Sequence, residues 1–293
     1  MAIPSGAGFG RIVAALRQGG VQVPELPFKV LARLHRASDK VRAGVYSFRA
    51  PITAAELLEK LRRGEVIQVD VTIPEGWTYR QMRARLDAHP GLRHDTSGLS
   101  DQEVLKLLGA AETNLEGMFF PDTYRVDKGA SDLVVLRKAY QTMRSVLAEA
   151  WKGRATDLPL RSERELLVLA SIVEKETGRA EDRPLIAAVF TNRLRIGMKL
   201  QTDPTVIYGL GPGFDGNLRK RDLITDTPYN TYTRVGLPAG PISLPGRDAI
   251  MAVARPPTSN MLYFVARGDG TSEFSPSLDA HNRAVNRFQR GGK

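Results

Sequence analysis

Two carboxylates lie at the end of an otherwise apolar helical segment. Residues 163–179 read ERELLVLASIVEKETGR, and the last turn of this segment carries Glu174 and Glu176. A helix that is apolar on almost every side is predicted to be buried in its domain, and a buried carboxylate needs a partner or a function. Two interpretations are open at this point: both side chains form surface ion pairs at a solvated helix end, or one of them does chemistry.

The segments after Gly197 carry side chains that suit a carbohydrate cleft. Residues 200–209 and 226–232 are rich in Tyr, Asn, Thr and Gln, and Gly-containing stretches occupy residues 211–217 and 236–241. Aromatic rings pack on sugar faces, while amides and hydroxyls donate to and accept from the sugar hydroxyls. We therefore expect polar and aromatic loops attached to a helical body. A loop-rich β region with structural Tyr residues is the alternative.

The composition excludes several kinds of site. The 293 residues include no Cys, which rules out disulfides, thiolate metal sites and a Cys nucleophile. The four His residues lack metal-binding spacing, so we expect neither a metal site nor a cofactor. No apolar run is long enough to span a bilayer, and no signal-peptide pattern opens the sequence.

The chain is strongly basic, with a net charge of +10. This sign favours polyanionic surroundings such as nucleic acid, anionic lipid or an acidic cell-wall polymer. No Lys/Arg block or nucleic-acid-binding motif accompanies the charge, so we expect no nucleic-acid partner.

The N-terminal region contains an internal repeat that predicts a small α+β module of roughly 110 residues. Residues 3–6 (IPSG) and 73–76 (IPEG) are each followed by apolar residues at helical spacing, which predicts a strand end, a Gly turn and an amphipathic helix. Between the copies we predict a strand at residues 40–48, a helix at 52–63 with Thr53 as its N-cap, and a strand at 66–73. A plain scaffold and a binding module are both open interpretations.

The remainder of the chain is predicted to be mainly helical. Ser100 and Glu103 form a capping-box pattern for a short helix, and residues 115–124 look like a buried extended segment with a bend at Pro121. Further helices are predicted at residues 131–151, 163–179, 182–197, 247–254 and 277–288, with a strand at 261–266.

Several long motifs, in order along nearly the whole chain, resemble those of the endolytic murein transglycosylases, the YceG-like family. They are residues 73–77 (IPEGW), 115–117 (LEG), 120–124 (FPDTY), 170–177 (ASIVEKET), 192–194 (NRL), 200–206 (LQTDPTV) and 229–232 (YNTY). The resemblance implies an α+β fold with a LysM-like module at residues 1–112 and a lysozyme-like, mainly helical catalytic domain with β- and loop-rich insertions at 113–293.

The same resemblance implies the reaction and its setting. Members of the family cleave peptidoglycan glycan strands internally, between N-acetylmuramic acid and N-acetylglucosamine, and leave a 1,6-anhydro end, which is thought to terminate nascent strands near the peptidoglycan synthases. They are single-pass proteins of the bacterial inner membrane whose catalytic part faces the periplasm. This sequence lacks the N-terminal anchor, which we interpret as truncation.

The resemblance places the catalytic carboxylate at Glu176, and helix geometry supports it. Glu174 and Glu176 lie about 200° apart on a helix, so one cleft uses only one of them. Glu176 continues the apolar stripe of Leu169 and Val173, which predicts a partly dry site and a raised pKa suited to a general acid. We expect Glu174 to form a structural ion pair, and an exchange of the two roles stays open.

A lytic transglycosylase needs one carboxyl group, because the muramoyl 6-hydroxyl replaces water as the attacking group. The candidates for contacts to the substrate are six polar residues of the segments after Gly197: Gln201, Asp203, Tyr208, Tyr229, Asn230 and Tyr232. Two other functions are open: a hydrolytic muramidase with Asp203 as its second carboxylate, and a noncatalytic peptidoglycan-binding protein.

Overall fold

A computed structural model of the protein describes residues 1–4, 6–35, 41–48 and 51–291. Two compact units interleave along the chain. The first consists of Met1–Thr72, Arg85–Gly98 and Thr123–Val135, and the second of Ile73–Ala84, Leu99–Asp122 and Leu136–Lys293.

The secondary structure is dominated by helices. They are α1 (Phe9–Gln18), α2 (Glu25–Leu34), α3 (Ala54–Arg63), α4 (Tyr79–Asp87), α5 (Asp101–Leu108), α6 (Asp132–Lys152), α7 (Glu163–Glu176), α8 (Arg183–Arg195), α9 (Asp203–Leu210), α10 (Lys220–Ile224), α11 (Arg247–Ala254) and α12 (Leu278–Phe288). A single 3₁₀ turn at Gly211–Gly213 follows α9. The strands are β1 (Ala2–Ile3), β2 (Gly44–Val45), β3 (Gln68–Thr72), β4 (Leu92–Arg93), β5 (Thr123–Asp127), β6 (Ala130–Ser131), β7 (Tyr263–Ala266) and β8 (Ser272–Ser275).

The first unit is built on three two-stranded sheets with helices packed beside them. Strands β1 and β2 pair antiparallel, β3 and β5 pair antiparallel, and β4 and β6 pair parallel. The apolar faces of α1, α2 and α3 form one buried cluster that includes Leu16, Phe28 and Leu61. Local signals fix α3: Thr53 and Glu56 form a reciprocal capping box, and Gly64 ends the helix in the left-handed conformation.

The second unit is organised around α7, which packs on α8 and α11. Every side chain from Leu166 to Val173 is buried, and each large apolar side chain buried in this way contributes roughly 1.5–3 kcal/mol. The loop before α11 is fastened to α7, because the Ile242 N–H donates to Ser171 Oγ at 3.0 Å and Ser243 Oγ donates to Ser171 O at 3.0 Å. The C-terminal end of α7 therefore has a fixed position in this unit.

The predicted α+β class is confirmed, and so are most predicted elements. The helices predicted at residues 52–63, 131–151, 182–197, 247–254 and 277–288 correspond to α3, α6, α8, α11 and α12, and Ser100 and Glu103 form their capping box on α5. The segment predicted at 163–179 is helical only as far as Glu176, so the candidate acid is the last residue of α7.

The N-terminal repeat is also confirmed, because each copy runs from a strand through a Gly turn into a helix. Gly6 and Gly76 both have φ near +70°, which favours glycine. Ser5 of the first copy and Lys40 of the strand predicted at residues 40–48 lie outside the described residues. Within that predicted strand, only Gly44–Val45 pairs with another strand.

The expectation of loops after Gly197 is wrong in one important respect. Residues 203–210 form helix α9, and residues 220–224 form the short α10. The reason is local: Pro204 lies in the first turn of α9, where its missing N–H costs nothing and its fixed φ suits a helix. Residues 197–262, all of them described, contain no strand, so this part is helical and loop-rich rather than β-rich.

The predicted boundary between residues 112 and 113 stays a prediction. No helix in the described ranges is both long enough and apolar enough to cross a membrane.

Candidate active site

Glu176 occupies the C-terminal end of α7 and is half-buried. The Thr202 hydroxyl donates a hydrogen bond to its Oε1, and its Oε2 has no hydrogen-bond partner among the described residues. Desolvation raises the pKa of Glu176, and the nearby Asp203 carboxylate raises it further, whereas the Thr202 hydroxyl and the Arg193 guanidinium act in the opposite direction. The net effect is a raised pKa, and one oxygen is left open to a ligand.

Thr202, whose hydroxyl contacts Glu176, belongs to a network of three buried threonines. The Thr202 N–H donates to Thr231 Oγ1 at 3.1 Å, and Thr205 Oγ1 donates to Thr202 O at 2.8 Å. Thr205 Oγ1 and Thr231 Oγ1 are themselves 2.9 Å apart. All three residues are at most 2% exposed, and this network holds the backbone of Thr202 next to Glu176. Sequence reasoning missed these threonines as part of the site, although Thr202-Asp203-Pro204 is a helix-start pattern.

Glu176 faces a cavity of about 380 Å³ in the second unit. Three of the predicted substrate-binding residues, Gln201, Asp203 and Tyr232, line this cavity. The Tyr232 hydroxyl donates to Asp203 Oδ1 at 2.5 Å, which directs the carboxylate of Asp203. Gln201 is the one described non-Gly residue with a positive φ, 49°. A backbone conformation this unusual next to a candidate acid is typical of functional sites.

The opposite wall of the cavity was not predicted from the sequence. Arg193 is 7% exposed and donates to Leu262 O and Leu200 O, each at 2.7 Å. Its guanidinium lies 5.1 Å from the ring centre of Tyr263, and that ring stacks on His281 at 5.2 Å. Tyr263 and His281 therefore present an aromatic surface to the cavity that contains Glu176.

The other three predicted substrate-binding residues lie away from the lining of this cavity. Asn230 is 1% exposed, and its amide nitrogen lies within 3.1 Å of three backbone carbonyls, those of Asp222, Leu223 and Thr225. Tyr208 and Tyr229 contact each other, with ring centres 4.8 Å apart. The structure thus brings together Gln201, Asp203 and Tyr232, and the substrate contacts of all six remain predictions.

A second carboxyl, Glu116, is buried among different partners. It is 5% exposed, and it accepts hydrogen bonds from the Tyr79 N–H at 2.8 Å and from the Tyr208 hydroxyl at 3.1 Å. Burial is the main cause that raises the pKa of Glu116 to about 7. Sequence reasoning did not select this residue, although an isolated Glu in the apolar run LEGMFF is the available signal.

Glu174 differs from the expectation of an ion pair. Among the described residues it has no cationic partner within salt-bridge distance, and instead its Oε2 accepts a hydrogen bond from the Gly246 N–H at 3.0 Å. Burial raises the pKa of Glu174 as well, and the adjacent Glu75 carboxylate adds to that effect. Glu174 therefore holds the start of α11 against the end of α7, and it does not line the cavity that Glu176 faces.

Comparison with known proteins gives a consistent result. A profile described as the YceG-like family matches residues 1–287. A protein named endolytic murein transglycosylase from Bacillus subtilis is 31% identical over 303 aligned residues, which cover 98% of this chain and 83% of that protein. A protein of the same name from Streptococcus pneumoniae is 30% identical, and the alignment covers 97% of this chain but only 57% of the pneumococcal protein.

One solved structure is also similar. A YceG-like protein from Listeria monocytogenes superimposes with a TM-score of 0.60 at 29% sequence identity, covering 96% of this chain and 97% of that one.

Proposed function

This chain belongs to the YceG-like family, and we propose that it cuts glycan strands internally between N-acetylmuramic acid and N-acetylglucosamine, with Glu176 as the catalytic acid. Its enzyme class follows from its relatives: it is a lytic transglycosylase acting on peptidoglycan. The position of the cut, the 1,6-anhydro product and the role of each residue are proposals.

The observation that carries the assignment to Glu176 is its combination of a raised pKa and an open oxygen. A general acid must hold a proton near neutral pH and reach the leaving group directly. Desolvation raises the pKa of Glu176, which favours the first condition. The second is supported by Oε2, which has no partner among the described residues, and by the cavity of polar and aromatic side chains that Glu176 lines.

The proposed reaction uses this one carboxyl twice. Glu176 donates its proton to the glycosidic oxygen, and the bond from that oxygen to C1 of the muramoyl residue breaks, giving an oxocarbenium-like state. The muramoyl 6-hydroxyl then bonds to C1, and the Glu176 carboxylate takes the proton of that hydroxyl, which regenerates the acid. No water is consumed, so the two products together have the composition of the substrate.

The neighbouring side chains have supporting roles in this proposal. Asp203, held by Tyr232, keeps the pKa of Glu176 high and places negative charge beside the developing cation. Gln201 offers an amide to the sugar hydroxyls, and the stacked Tyr263 and His281 offer a flat surface for a sugar ring. Tyr208, Tyr229 and Asn230 do not line the cavity of Glu176, so their predicted substrate contacts would be made elsewhere.

The wider assignments come from family membership. We propose that residues 1–112 form a LysM-like module that binds peptidoglycan and that residues 113–293 form a lysozyme-like catalytic domain. The protein would work at the bacterial inner membrane, held by an N-terminal anchor, with its catalytic part facing the periplasm beside the peptidoglycan synthases. Cleavage there would terminate nascent strands.

The test is the product formed from uncrosslinked glycan strands by the wild type and by Glu176→Gln. Mass spectrometry should show anhydro ends from the wild type, each lighter by one water than a hydrolytic end. The Gln variant has no acidic proton to donate, so its rate should fall by roughly 10²–10⁴-fold. Glu174→Gln is the matched control, because its amide oxygen can still accept from the Gly246 N–H, and its rate should stay within about twofold.

Three outcomes would reject the proposal. Full activity of Glu176→Gln would remove its catalytic role, and loss of activity in Glu174→Gln alone would exchange the two roles. Reducing ends as the only product would establish a hydrolytic muramidase, and Asp203 would then be the second carboxylate to test.

A further inference from the structure

A second cavity of the same unit, of about 710 Å³, has the shape and charge of a ligand site. One side is apolar and is formed by Pro204 and Ile207 of α9, by Pro212 and Phe214 after it, and by Ile242. The lining also includes the cations Arg80 of α4 and Lys175 of α7, together with Glu116 and Tyr208. Its volume is nearly twice that of the Glu176 cavity, and it falls in the range of small-molecule sites.

The two cations of this cavity lack acidic partners. Arg80 is exposed and makes no hydrogen bond or ion pair with any described residue. Lys175 Nζ donates one long hydrogen bond, of 3.3 Å, to Gly76 O, and it too has no carboxylate partner in the described ranges. Free cations beside an apolar wall favour a ligand that carries carboxylates next to small apolar groups.

The carboxyl in this cavity does not cancel that preference. Glu116 accepts hydrogen bonds on both oxygens, from the Tyr79 N–H and the Tyr208 hydroxyl, so it is held against the protein. With its pKa raised to about 7 by burial, it carries only part of a negative charge at neutral pH. The lining therefore stays net positive.

The cavity adjoins the candidate active site along the chain. Lys175 directly precedes Glu176 on α7, and Pro204 directly follows Asp203 on α9. The end of α7 and the start of α9 therefore contribute residues to both cavities. Neighbouring Cα atoms are about 3.8 Å apart, and an extended peptide of four residues reaches about 13 Å.

We propose that this cavity binds the carboxylate-bearing stem peptide of the muramoyl residue that is being cleaved. Arg80 and Lys175 pair with the peptide carboxylates, and the wall from Pro204 to Phe214 contacts its apolar side chains. The inference rests on the proposed function, and it adds a specificity site to it: the enzyme recognises strands whose peptides are present and charged.

The test measures binding separately from cleavage. A soluble N-acetylmuramoyl peptide with free carboxylates is titrated calorimetrically into the full chain, and the same compound with amidated carboxylates is titrated in parallel. The free acid should bind, and amidation should weaken binding roughly tenfold or more, because two charge-assisted contacts are lost. The double variant Arg80→Gln/Lys175→Gln should lose the distinction between the two ligands.

A matched control separates this effect from a general loss of positive charge. Arg137 is also exposed, makes a single 3.3 Å hydrogen bond to the Leu107 carbonyl, and does not line the cavity. Arg137→Gln should therefore bind both ligands as the wild type does. If it loses the distinction as the double variant does, or if the wild type binds neither ligand or both equally, the proposal is wrong.

Cleavage kinetics on strands with and without peptide test whether this cavity contributes to substrate recognition during catalysis. The wild type should have a lower KM for peptide-bearing strands than for strands stripped of peptide, and the double variant should lose this ratio. Glu176→Gln should keep the preference for the free acid over the amidated ligand, because Glu176 does not line the peptide cavity. If that variant cleaved glycan normally, the proposed catalytic role would fail while the peptide-binding result would stand.

Discussion

Glu176 and Glu116 are two carboxyls of the same unit. Desolvation acts on both, but a ligand has access to only one of them. Burial raises the pKa of both. Glu116 is enclosed, with the Tyr79 N–H and the Tyr208 hydroxyl on its two oxygens, whereas Glu176 has one donor, Thr202, and one free oxygen among the described residues. A raised pKa therefore does not by itself identify a catalytic acid, because the substrate must also be able to reach the carboxyl oxygen that carries the proton.

The two carboxyls also differ in what they stabilise. Glu116 accepts hydrogen bonds from the buried Tyr79 N–H and from the Tyr208 hydroxyl. These two hydrogen bonds offset the free-energy cost of removing its carboxyl group from water. Glu176 accepts a hydrogen bond only from the hydroxyl of Thr202, whose backbone a threonine network holds in place. The burial of Glu176 is therefore offset by few structural hydrogen bonds, and its raised pKa can serve the proposed acid catalysis.

The largest effect is expected for Glu116→Gln, which should change how the free energy of unfolding depends on pH. Between pH 4.5 and about pH 7 folded Glu116 holds a proton that the unfolded chain has released, so stability falls as pH rises through this window. The contribution is about 3 kcal/mol in total. Glu116→Gln should remove it, as measured by urea unfolding at pH 5, 6, 7 and 8.

The control for that measurement is Glu176→Gln. This variant leaves Glu116 unchanged, so it should keep the fall in unfolding free energy with pH that Glu116 causes. Equal slopes in the wild type and in Glu116→Gln would mean that Glu116 titrates normally, and the comparison of the two carboxyls would fail.

A smaller effect is expected in the loop that supports the Glu176 site. Asn230→Ala removes a buried amide whose two N–H groups are shared among the backbone carbonyls of Asp222, Leu223 and Thr225, and the loss should cost about 2 kcal/mol of unfolding free energy. Because Thr231 and Tyr232 directly follow, cleavage should slow as well. Asn217→Ala, at an exposed position, is the control and should change neither quantity.

The smallest effects are opposite shifts in the alkaline limb of kcat/KM. Thr202→Val removes a hydrogen bond that lowers the pKa of Glu176, so the limb should move to higher pH. Asp203→Asn removes a carboxylate that raises that pKa, so the limb should move to lower pH. Shifts in the same direction, or none, would show that a group other than Glu176 controls the limb.

Local signals in the sequence were sufficient for most of the fold. Thr53 and Gly64 delimit α3, Ser100 and Glu103 start α5, and the apolar pattern of residues 163–179 predicts the buried helix that the structure ends at Glu176. These features depend on capping and periodicity, which neighbouring residues determine. The one strong local signal that was missed, Pro204 in the first turn of a helix, is why α9 was expected to be a loop.

The sequence by itself determined the helix that ends in two glutamates, and the tertiary structure decided what surrounds each of them. Helix α9 turns Asp203 and Tyr208 about 140° apart, so they line different cavities although both stood as candidates for one cleft. Thr202 contacts Glu176 across 26 positions of sequence, and Tyr208 contacts Glu116 across 92. Contacts at such separations arise from the packing of whole elements, which local periodicity does not encode.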